Sequence, residues 1–270
     1  MRHVPILAAV PGERLFRLHA AEAGCDWVAA TNWVEAVHLI RTRPVELAVV
    51  DPALGGEPRA LEIGRIRQHF PSLPLLVYTA LVPETAGVLL ELGRVGVRRV
   101  VFHRFDDAPS ALRRTLRAEL ERCASHQMIQ QFAAILPDLP PQLRDALEAT
   151  LHAPGDGPTV SAFAARASIQ RRTCERLFGR LGLPSPKMVV LLARVLYAHR
   201  LLLDPGYTVE DVAAKLGYAQ VRTLQMHFRE VFGLTAGEVR ISLSPEAAVE
   251  LVRTRYFRQS AEPVERRAVS

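Results

Sequence analysis

Cysteine is scarce in this chain, and no apolar run is long. The three cysteines, Cys25, Cys123 and Cys174, stand far apart, which argues against a disulfide framework or a cysteine metal site and fits a reducing cytoplasm. The stretches VPILAAV and MVVLLARVLYA are too short or too interrupted to span a bilayer. Hydrophobic residues still make up 49% of the 270 residues, with no low-complexity run. The composition therefore predicts a cytoplasmic globular protein of one or two domains.

Positive charge is concentrated in one segment. Residues 161–240 hold 12 of the 34 Lys and Arg but only 6 of the 28 Asp and Glu, so the rest of the chain has 22 of each and the formal net charge of +6 lies in this segment. An ordinary solvated basic face would also give such a count. A surface that meets phosphates is the interpretation that we favour.

From residue 4 to about 105, short β-type runs alternate with longer helical patterns. This alternation predicts βα units that form a five-stranded parallel sheet with helices on both faces. The predicted strands are VPILAAV, WVAAT, LAVV, PLLVYT and RRVVF. Ligand sites in such folds lie at the carboxyl ends of the strands. The third strand ends at Asp51 and the fourth at Thr79.

This N-terminal pattern resembles the receiver domain of bacterial response regulators. Asp51 stands where a receiver has its phosphorylated aspartate, and Thr79 stands where it has a switch hydroxyl. The acidic pair that binds Mg2+ is missing, since Glu13 is the first acid after the first strand, and His103-Arg104 replaces Lys-Pro after the fifth. Phosphoryl transfer to an aspartate needs that cation and lysine to neutralise the developing charge.

We therefore expect a pseudo-receiver without metal, cofactor or enzyme chemistry. Asp51 is then a strand-end or turn residue, and His103 is a surface or pocket-rim histidine. Three roles stay open for this half: phosphorylation at Asp51, sensing of a small molecule in the sheet-end crevice, and protein interaction or dimerisation. The last is the one that we favour.

Residues 107–137 are predicted to form one long helix that leads away from the sheet. Its apolar stripe at i, i+4, i+8 spacing consists of Leu112, Leu116, Leu120, Met128, Phe132 and Ile135. Packing within the chain and a homodimer through this helix are both open. A further helix follows from Pro140, and the Gly- and Pro-rich residues 154–159 are the clearest linker. The expected parts are 1–137, a bridge at 138–158, a third part at 159–241, and a last helix and tail at 242–270.

The third part contains an internal repeat. The segment SIQRRTCERLFGRLG, Ser168–Gly182, is echoed about fifty residues later by GYAQVRTLQMHFREVFG, Gly217–Gly233. A short helical pattern with Ala-Ala in the same place precedes each, with Thr159 and Thr208 as the expected caps. This layout predicts two helix-turn-helix units joined by a helix over Ser185–Leu203, about 27 Å long. Successive major-groove faces on one side of DNA are about 34 Å apart. The second helices of the two units, called the reading helices below and held at opposite ends of the connecting helix, could therefore enter two neighbouring major grooves.

Residues 159–241 resemble the DNA-binding domain of the AraC/XylS family of bacterial transcription regulators. The positions that agree are Ala164, Arg176, Phe178, Gly182, Arg194, Ala198, Ala213, Gly217, Tyr218, Phe228, Gly233 and Arg240. Two departures stand out: Met226 occupies a place where a basic residue is common, and LTAGEVR replaces the usual SPxxYR. The resemblance implies that the second helix of each unit reads bases in double-stranded promoter or operator DNA.

The resemblance also supplies the candidate DNA contacts. Arg172 and Arg222 occupy matching positions, and each could bind guanine O6 and N7 with about 1–3 kcal/mol of discrimination. Further base-contact candidates are Arg171, Glu175, Arg176, Val221 and Gln225, and phosphate-contact candidates are Arg180, Lys187 and Arg229. We assign a structural role to Arg194. The expected protein is a sequence-specific regulator associated with the nucleoid, with RNA polymerase or another regulator as a further partner and no membrane contact.

Overall fold

A computed structural model describes residues 4–136, 139–152 and 159–257. Its N-terminal half alternates five strands with helices: β1 Pro5–Ala9, α1 Gly12–Ala21, β2 Asp26–Ala29, α2 Trp33–Thr42, β3 Leu47–Val50, α3 Leu61–His69, β4 Leu75–Thr79, α4 Pro83–Arg94, β5 Val100–Phe102 and α5 Pro109–Leu120. All neighbouring strands pair in parallel, in the order β2-β1-β3-β4-β5. This confirms the predicted receiver-like α/β fold, whose strand order changes direction beside β1.

The central strands are apolar throughout because helices cover both faces of the sheet. Every residue of β1, β3 and β4 is buried, as expected for parallel strands with two covered faces. Alternate residues belong to different cores: Ile6 and Ala8 pack with α1 and α5, whereas Leu7 and Ala9 pack on the opposite side. The period-two alternation of a strand thus divides the hydrophobic core into two layers.

The prediction of one long helix over residues 107–137 is wrong. After α5 ends at Leu120, residues 121–123 form a turn, and α6 runs over Ala124–Ala134 from an extended N-cap at Cys123. Leu116 belongs to the core layer with α1, but Phe132 belongs to the opposite layer. A straight helix could not bury both, so the chain breaks between them. Four of the six stripe residues are buried within the chain, and Leu120 and Ile135 are half-buried. A homodimer through this region stays a prediction and would have to use the more exposed faces of the helices.

The rest of the chain is helical. It comprises α7 Pro141–His152, α8 Val160–Arg166, α9 Arg171–Arg180, α10 Pro186–Leu202, α11 Val209–Lys215, α12 Val221–Phe232, α13 Ala236–Ser242 and α14 Pro245–Tyr256. The pairs α8–α9 and α11–α12 are the two predicted helix-turn-helix units, and α14 is the predicted last helix. None of the helices within the described ranges combines the length and apolar character needed to cross a membrane.

The N- and C-terminal halves share one hydrophobic core. The layer that holds Leu7 and Val50 continues through α6 and α7 to Leu192 in α10 and Val252 in α14. Helix α2 packs against α11, and α6 and α7 pack against α10. Most of the predicted linker lies outside the described residues, as does the tail after residue 257, so the division into domains stays a prediction. The two halves are nevertheless joined by a continuous apolar contact.

Candidate nucleic-acid interface

The sequence repeat corresponds to a repeat in structure. Thr159 and Thr208 cap α8 and α11, each accepting a hydrogen bond from the third backbone N–H of its helix at 3.1 Å. The turns then pass through a left-handed residue at the same place, Ser168 with φ 56° and Gly217 with φ 68°. Glycine adopts this conformation without strain, whereas serine does so less readily. The two units therefore use the same turn to orient α9 and α12.

Helix α10 supports both units. It contacts α9 and α12, and its 17 residues span about 26 Å. Arg194 in this helix is only 6% exposed and donates from Nη2 to the carbonyl oxygen of Leu216 at 2.6 Å. Its guanidinium also lies 4.2 Å from the ring centroid of Tyr218, whose hydroxyl is 3.1 Å from Nδ1 of His227. These contacts confirm the structural role expected for Arg194. Its side chain holds the turn between α11 and α12 against helix α10.

Each reading helix has one buried and one exposed face. Phe178 of α9, and Leu224 and Phe228 of α12, are buried in the core. The exposed candidates are Arg171, Arg172, Glu175, Arg176, Arg180, Lys187, Arg222, Gln225 and Arg229. Val221 is half-buried against the core, which leaves it less surface to offer to a base. The structure thus leaves the predicted reading faces open to solvent, and the DNA contacts themselves stay predictions.

Two features, an ion pair on α9 and an exposed methionine on α12, modify the predicted base-contact faces. Nε of Arg171 donates to Oε1 of Glu175 at 2.8 Å, one helical turn away. This ion pair fixes the Glu175 carboxylate, whose other oxygen can still accept a hydrogen bond from a cytosine amine. Met226 is 57% exposed, so α12 presents an apolar side chain among its polar ones.

Part of the positive charge of residues 161–240 does not face solvent. Besides Arg194, Lys215 is fully buried, and Arg240 donates to the backbone oxygens of Asp204 and Tyr207 at 3.0 and 3.3 Å. The count from the sequence therefore overstates the charge available to phosphates. The cations that remain exposed are those of α9, α12 and the start of α10.

The receiver-like site is occupied by an arginine. Asp51 is fully buried and forms an ion pair with Arg14, whose guanidinium also donates to the carbonyl oxygen of Tyr78 at 3.2 Å. Thr79 donates from Oγ1 to Asp51 at 2.9 Å, and the backbone N–H of Ala53 donates at 3.1 Å. The sequence interpretation stopped at Glu13 and missed Arg14, the residue after it. This side chain supplies the cation beside Asp51.

The expectation that His103 is a surface or pocket-rim residue is wrong. His103 is 9% exposed, with Nδ1 at 3.0 Å from Oδ2 of Asp107 and 3.3 Å from the hydroxyl of Tyr78. That hydroxyl donates to Asp107 at 2.6 Å, and burial raises the pKa of Tyr78. His103 is buried because a tight turn follows it, in which Arg104 has φ 67° and donates its backbone N–H to Asp107. The turn folds His103 inward.

In residues 4–136, 139–152 and 159–257 no cluster of His, Cys, Asp or Glu is arranged to hold a metal ion.

A set of buried polar contacts, called the seam below, joins the second helix-turn-helix unit to the receiver-like half through Lys215, Tyr207 and Asp204. The sequence did not predict it. Nζ of Lys215 donates to the carbonyl oxygens of Ile40 and Val45 at 3.3 and 3.1 Å and to the hydroxyl of Tyr207 at 3.1 Å. Complete burial lowers the pKa of Lys215 to about 8, and the carboxylates of Glu46 and Asp204 oppose this shift. The carbonyl of Ile40 belongs to the last turn of α2, where the helix dipole favours a cation.

The seam continues on both sides of Lys215. Asp204 accepts hydrogen bonds from the N–H and the hydroxyl of Ser72, at 3.2 and 2.6 Å. The N–H of Gly206 donates to the carbonyl oxygen of His69 at 2.7 Å. Further along, the hydroxyl of Tyr197 donates to Glu46. These contacts hold the two halves in one arrangement.

Comparison with known proteins gives one family model and several curated relatives, each of which matches about a third of the chain. Residues 163–242 match the model of a helix-turn-helix domain family. The virulence regulon transcriptional activator VirF of Yersinia enterocolitica and the thermoregulatory protein LcrF of Yersinia pestis are each 30% identical over 86 residues, 32% of this chain and 32% of each relative. The transcriptional regulator ExsA of Pseudomonas aeruginosa is 30% identical over 81 residues, 30% of this chain and 29% of that protein. The chain thus spans about a third of the length of these curated relatives.

Solved structures resemble the chain more weakly. A response regulator from Thermotoga maritima overlaps with a TM-score of 0.38 and 20% identity over 44% of this chain and 98% of that one. RcsB from Salmonella enterica bound to a promoter gives 0.36 and 17% over 69% and 96%. The helix-turn-helix assignment rests on the matched residues 163–242 and the two units described above, and the sheet assignment rests on its strand order.

Proposed function

We propose, from the premise that residues 163–242 form an AraC-type helix-turn-helix domain, that this chain is a sequence-specific DNA-binding transcription regulator. The observation that carries the proposal is the repeat of one exposed arginine, Arg172 and Arg222, on two reading helices supported by the same helix, α10. A protein that bound phosphates alone would not need the two matched faces. The proposal requires no catalytic step.

The exposed faces of α9 and α12 would each make two kinds of contact, to bases and to phosphates. Arg172 and Arg222 would each bind a guanine edge in the major groove, with Arg176 and Gln225 beside them. Arg180, Lys187 and Arg229 would bind phosphates, which position the protein without specifying a sequence. A plot of the logarithm of the DNA-binding constant against the logarithm of the salt concentration has a negative slope. Removal of each phosphate contact should make this slope less steep by about 0.9.

The receiver-like half is proposed to act as an interaction or sensor module in the bacterial cytoplasm. The pairing of Arg14 with the buried Asp51 supports a role other than phosphorylation, because the carboxylate is already held by a cation and two hydrogen bonds. The rival function, an Asp51 response regulator, predicts a Mg2+-dependent change in tryptophan fluorescence with a phosphate mimic. A homodimer and a contact with RNA polymerase are further proposals for this half.

The test is affinity selection of fragmented host DNA with the purified chain and with the R172A/R222A variant. The wild type is expected to select two sequence blocks about one helical turn apart. At about 1 kcal/mol or more for each guanine contact, the double variant should lose about 30-fold or more of its affinity for the selected site.

The matched control is R94A/R114A, which removes two exposed arginines from the receiver-like half. It should select the same blocks as the wild type with the same affinity. Retention of DNA without sequence preference, and equal in all three proteins, would overturn the proposal and leave only binding to phosphates.

A further inference from the structure

An arginine-lined cavity of about 250 Å3 lies where the receiver-like half meets α10. Its walls come from distant parts of the chain: α3, residues 71–75 at and before the start of β4, the residue Arg98 before β5, the end of α5 with the turn and helix α6 that follow, and the last turn of α10. The side chains that matter are Arg67, Arg98, Arg122 and Arg200, with Glu119 the one carboxylate on the wall.

The positive charge of this cavity is only partly neutralised by the protein. Glu119 is shared between Arg99, at 3.4 Å, and Arg122, at 3.5 Å. Within the described ranges, Arg98 and Arg200 take part in no side-chain hydrogen bond or ion pair. The carboxylates of Asp204 and Glu246 act on Arg200 electrostatically, but neither forms an ion pair with it. Four guanidinium groups thus converge with one carboxylate between them.

One of these arginines is held in place by the backbone. Nε of Arg67 donates to the carbonyl oxygen of Val95 at 3.0 Å. Gly96 follows with φ 82°, and a Cβ there would lie 3.3 Å from Nη2 of Arg67, so the guanidinium rests closely on the glycine. Burial lowers the pKa of Arg67, and the nearby cations Arg98 and Arg122 lower it further. The cavity therefore holds like charges together, an arrangement that an anion would relieve.

We propose that this cavity binds a small polyanion through a di- or triphosphate group, which bridges the receiver-like half and α10. Guanidinium forks from several directions suit the oxygens of such a group. The wall at residues 71–75 is already tied to the end of α10 through Ser72 and Asp204. Occupancy of the cavity would add charged contacts across the same seam. This inference goes beyond the proposed function and does not depend on DNA binding.

The first experiment is calorimetric titration of the full chain with inorganic pyrophosphate at about 0.15 M salt, where long-range attraction is screened. We expect saturable binding of one pyrophosphate per chain. Removal of each arginine should weaken it about tenfold, the value of one hydrogen-bonded charge, so that R98A/R200A loses about 100-fold. If R98A/R200A folds poorly by circular dichroism, the exposed single variant R98Q is used and should lose about tenfold.

Two controls separate this cavity from the other basic surfaces. R94A/R114A removes the same number of arginines elsewhere and should bind pyrophosphate like the wild type. R172A/R222A, which lacks the guanine-contact arginines, should do so too, and its result distinguishes failure of this inference from failure of the proposed function. Absence of saturable heat, or a loss in R172A/R222A as large as that in R98A/R200A, would overturn the inference.

Titration with adenosine diphosphate distinguishes the two sources of such a group. Affinity equal to that of pyrophosphate, with the same dependence on Arg98 and Arg200, supports recognition of the phosphates alone. Tighter binding with that dependence supports a nucleotide whose base or sugar adds contacts. Binding that is unaffected in R98A/R200A would place the nucleotide elsewhere and count against the cavity.

Discussion

Replacing Arg14 by methionine should destabilise the receiver-like half by about 3 kcal/mol. The variant keeps most of the aliphatic length but leaves the carboxylate of Asp51, which is fully buried, without its cation. Breaking a buried ion pair from one side costs about 3–5 kcal/mol. The hydrogen bonds from Thr79 and from the backbone of Ala53 remain, and they place the expected loss at the lower end of that range.

The assay is urea unfolding followed by the fluorescence of Trp27 and Trp33, the two tryptophans of the chain, which both lie in this half. Asp51→Asn alone and R14M/D51N complete a double-mutant cycle. Since the double variant no longer buries an unpaired charge, it should recover about 2 kcal/mol relative to the sum of the single changes. Additivity within about 0.5 kcal/mol would refute the view that Arg14 and Asp51 act as a pair.

Two further predictions concern the seam between the halves. Gly206→Ala places a Cβ 2.5 Å from Cε1 of Phe70 and 2.7 Å from the carbonyl oxygen of His69, so the free energy of unfolding should fall by about 1–3 kcal/mol. The control is Gly237→Ala, whose Cβ has nothing within 4 Å and should cause no loss. Equal urea midpoints for the two variants would contradict the packing described. Burial lowers the pKa of Lys215 from its ordinary value of 10.5 to about 8, so between these pH values the unfolded chain binds more protons than the folded chain. The free energy of unfolding of the wild type, relative to that of Lys215→Met, should therefore rise by up to about 1.4 kcal/mol per pH unit. A difference that stays constant between pH 7.5 and 9.5 would contradict the burial of a titrating lysine.

The elements that could be predicted from sequence are those with local patterns. Strand β3, Leu47–Val50, coincides with the predicted run LAVV because four apolar residues stand between polar and turn residues, although its end was expected one residue later, at Asp51. Helices α8 and α11 were found because a threonine cap and an apolar period lie within a few residues of each other. The exposed positions of Arg172 and Arg222 followed from the same periodicity.

The features that could not be predicted depend on contacts between distant residues. The i, i+4 stripe continues across residues 121–123, and only the presence of two core layers requires a break there. Arg14 and Asp51 are 37 residues apart, and Lys215 and Val45 are 170 apart. A lysine at the end of a short helix ordinarily faces water, and nothing nearby in the sequence distinguishes Lys215 from such a residue.

The buried lysine also limits how the two halves of this chain can be recombined with other proteins. A fragment that began at the Gly-Pro linker would expose Lys215 and Tyr207 to water and would lose the carbonyls of α2 that Lys215 binds. The C-terminal half is therefore not a module that can be exchanged independently of the receiver-like half. Any exchange of the receiver-like half must also supply a surface that fits α10 and α11, with two backbone carbonyls placed to accept from Lys215. We therefore expect Tyr207 and Lys215 to be retained only together with such a surface.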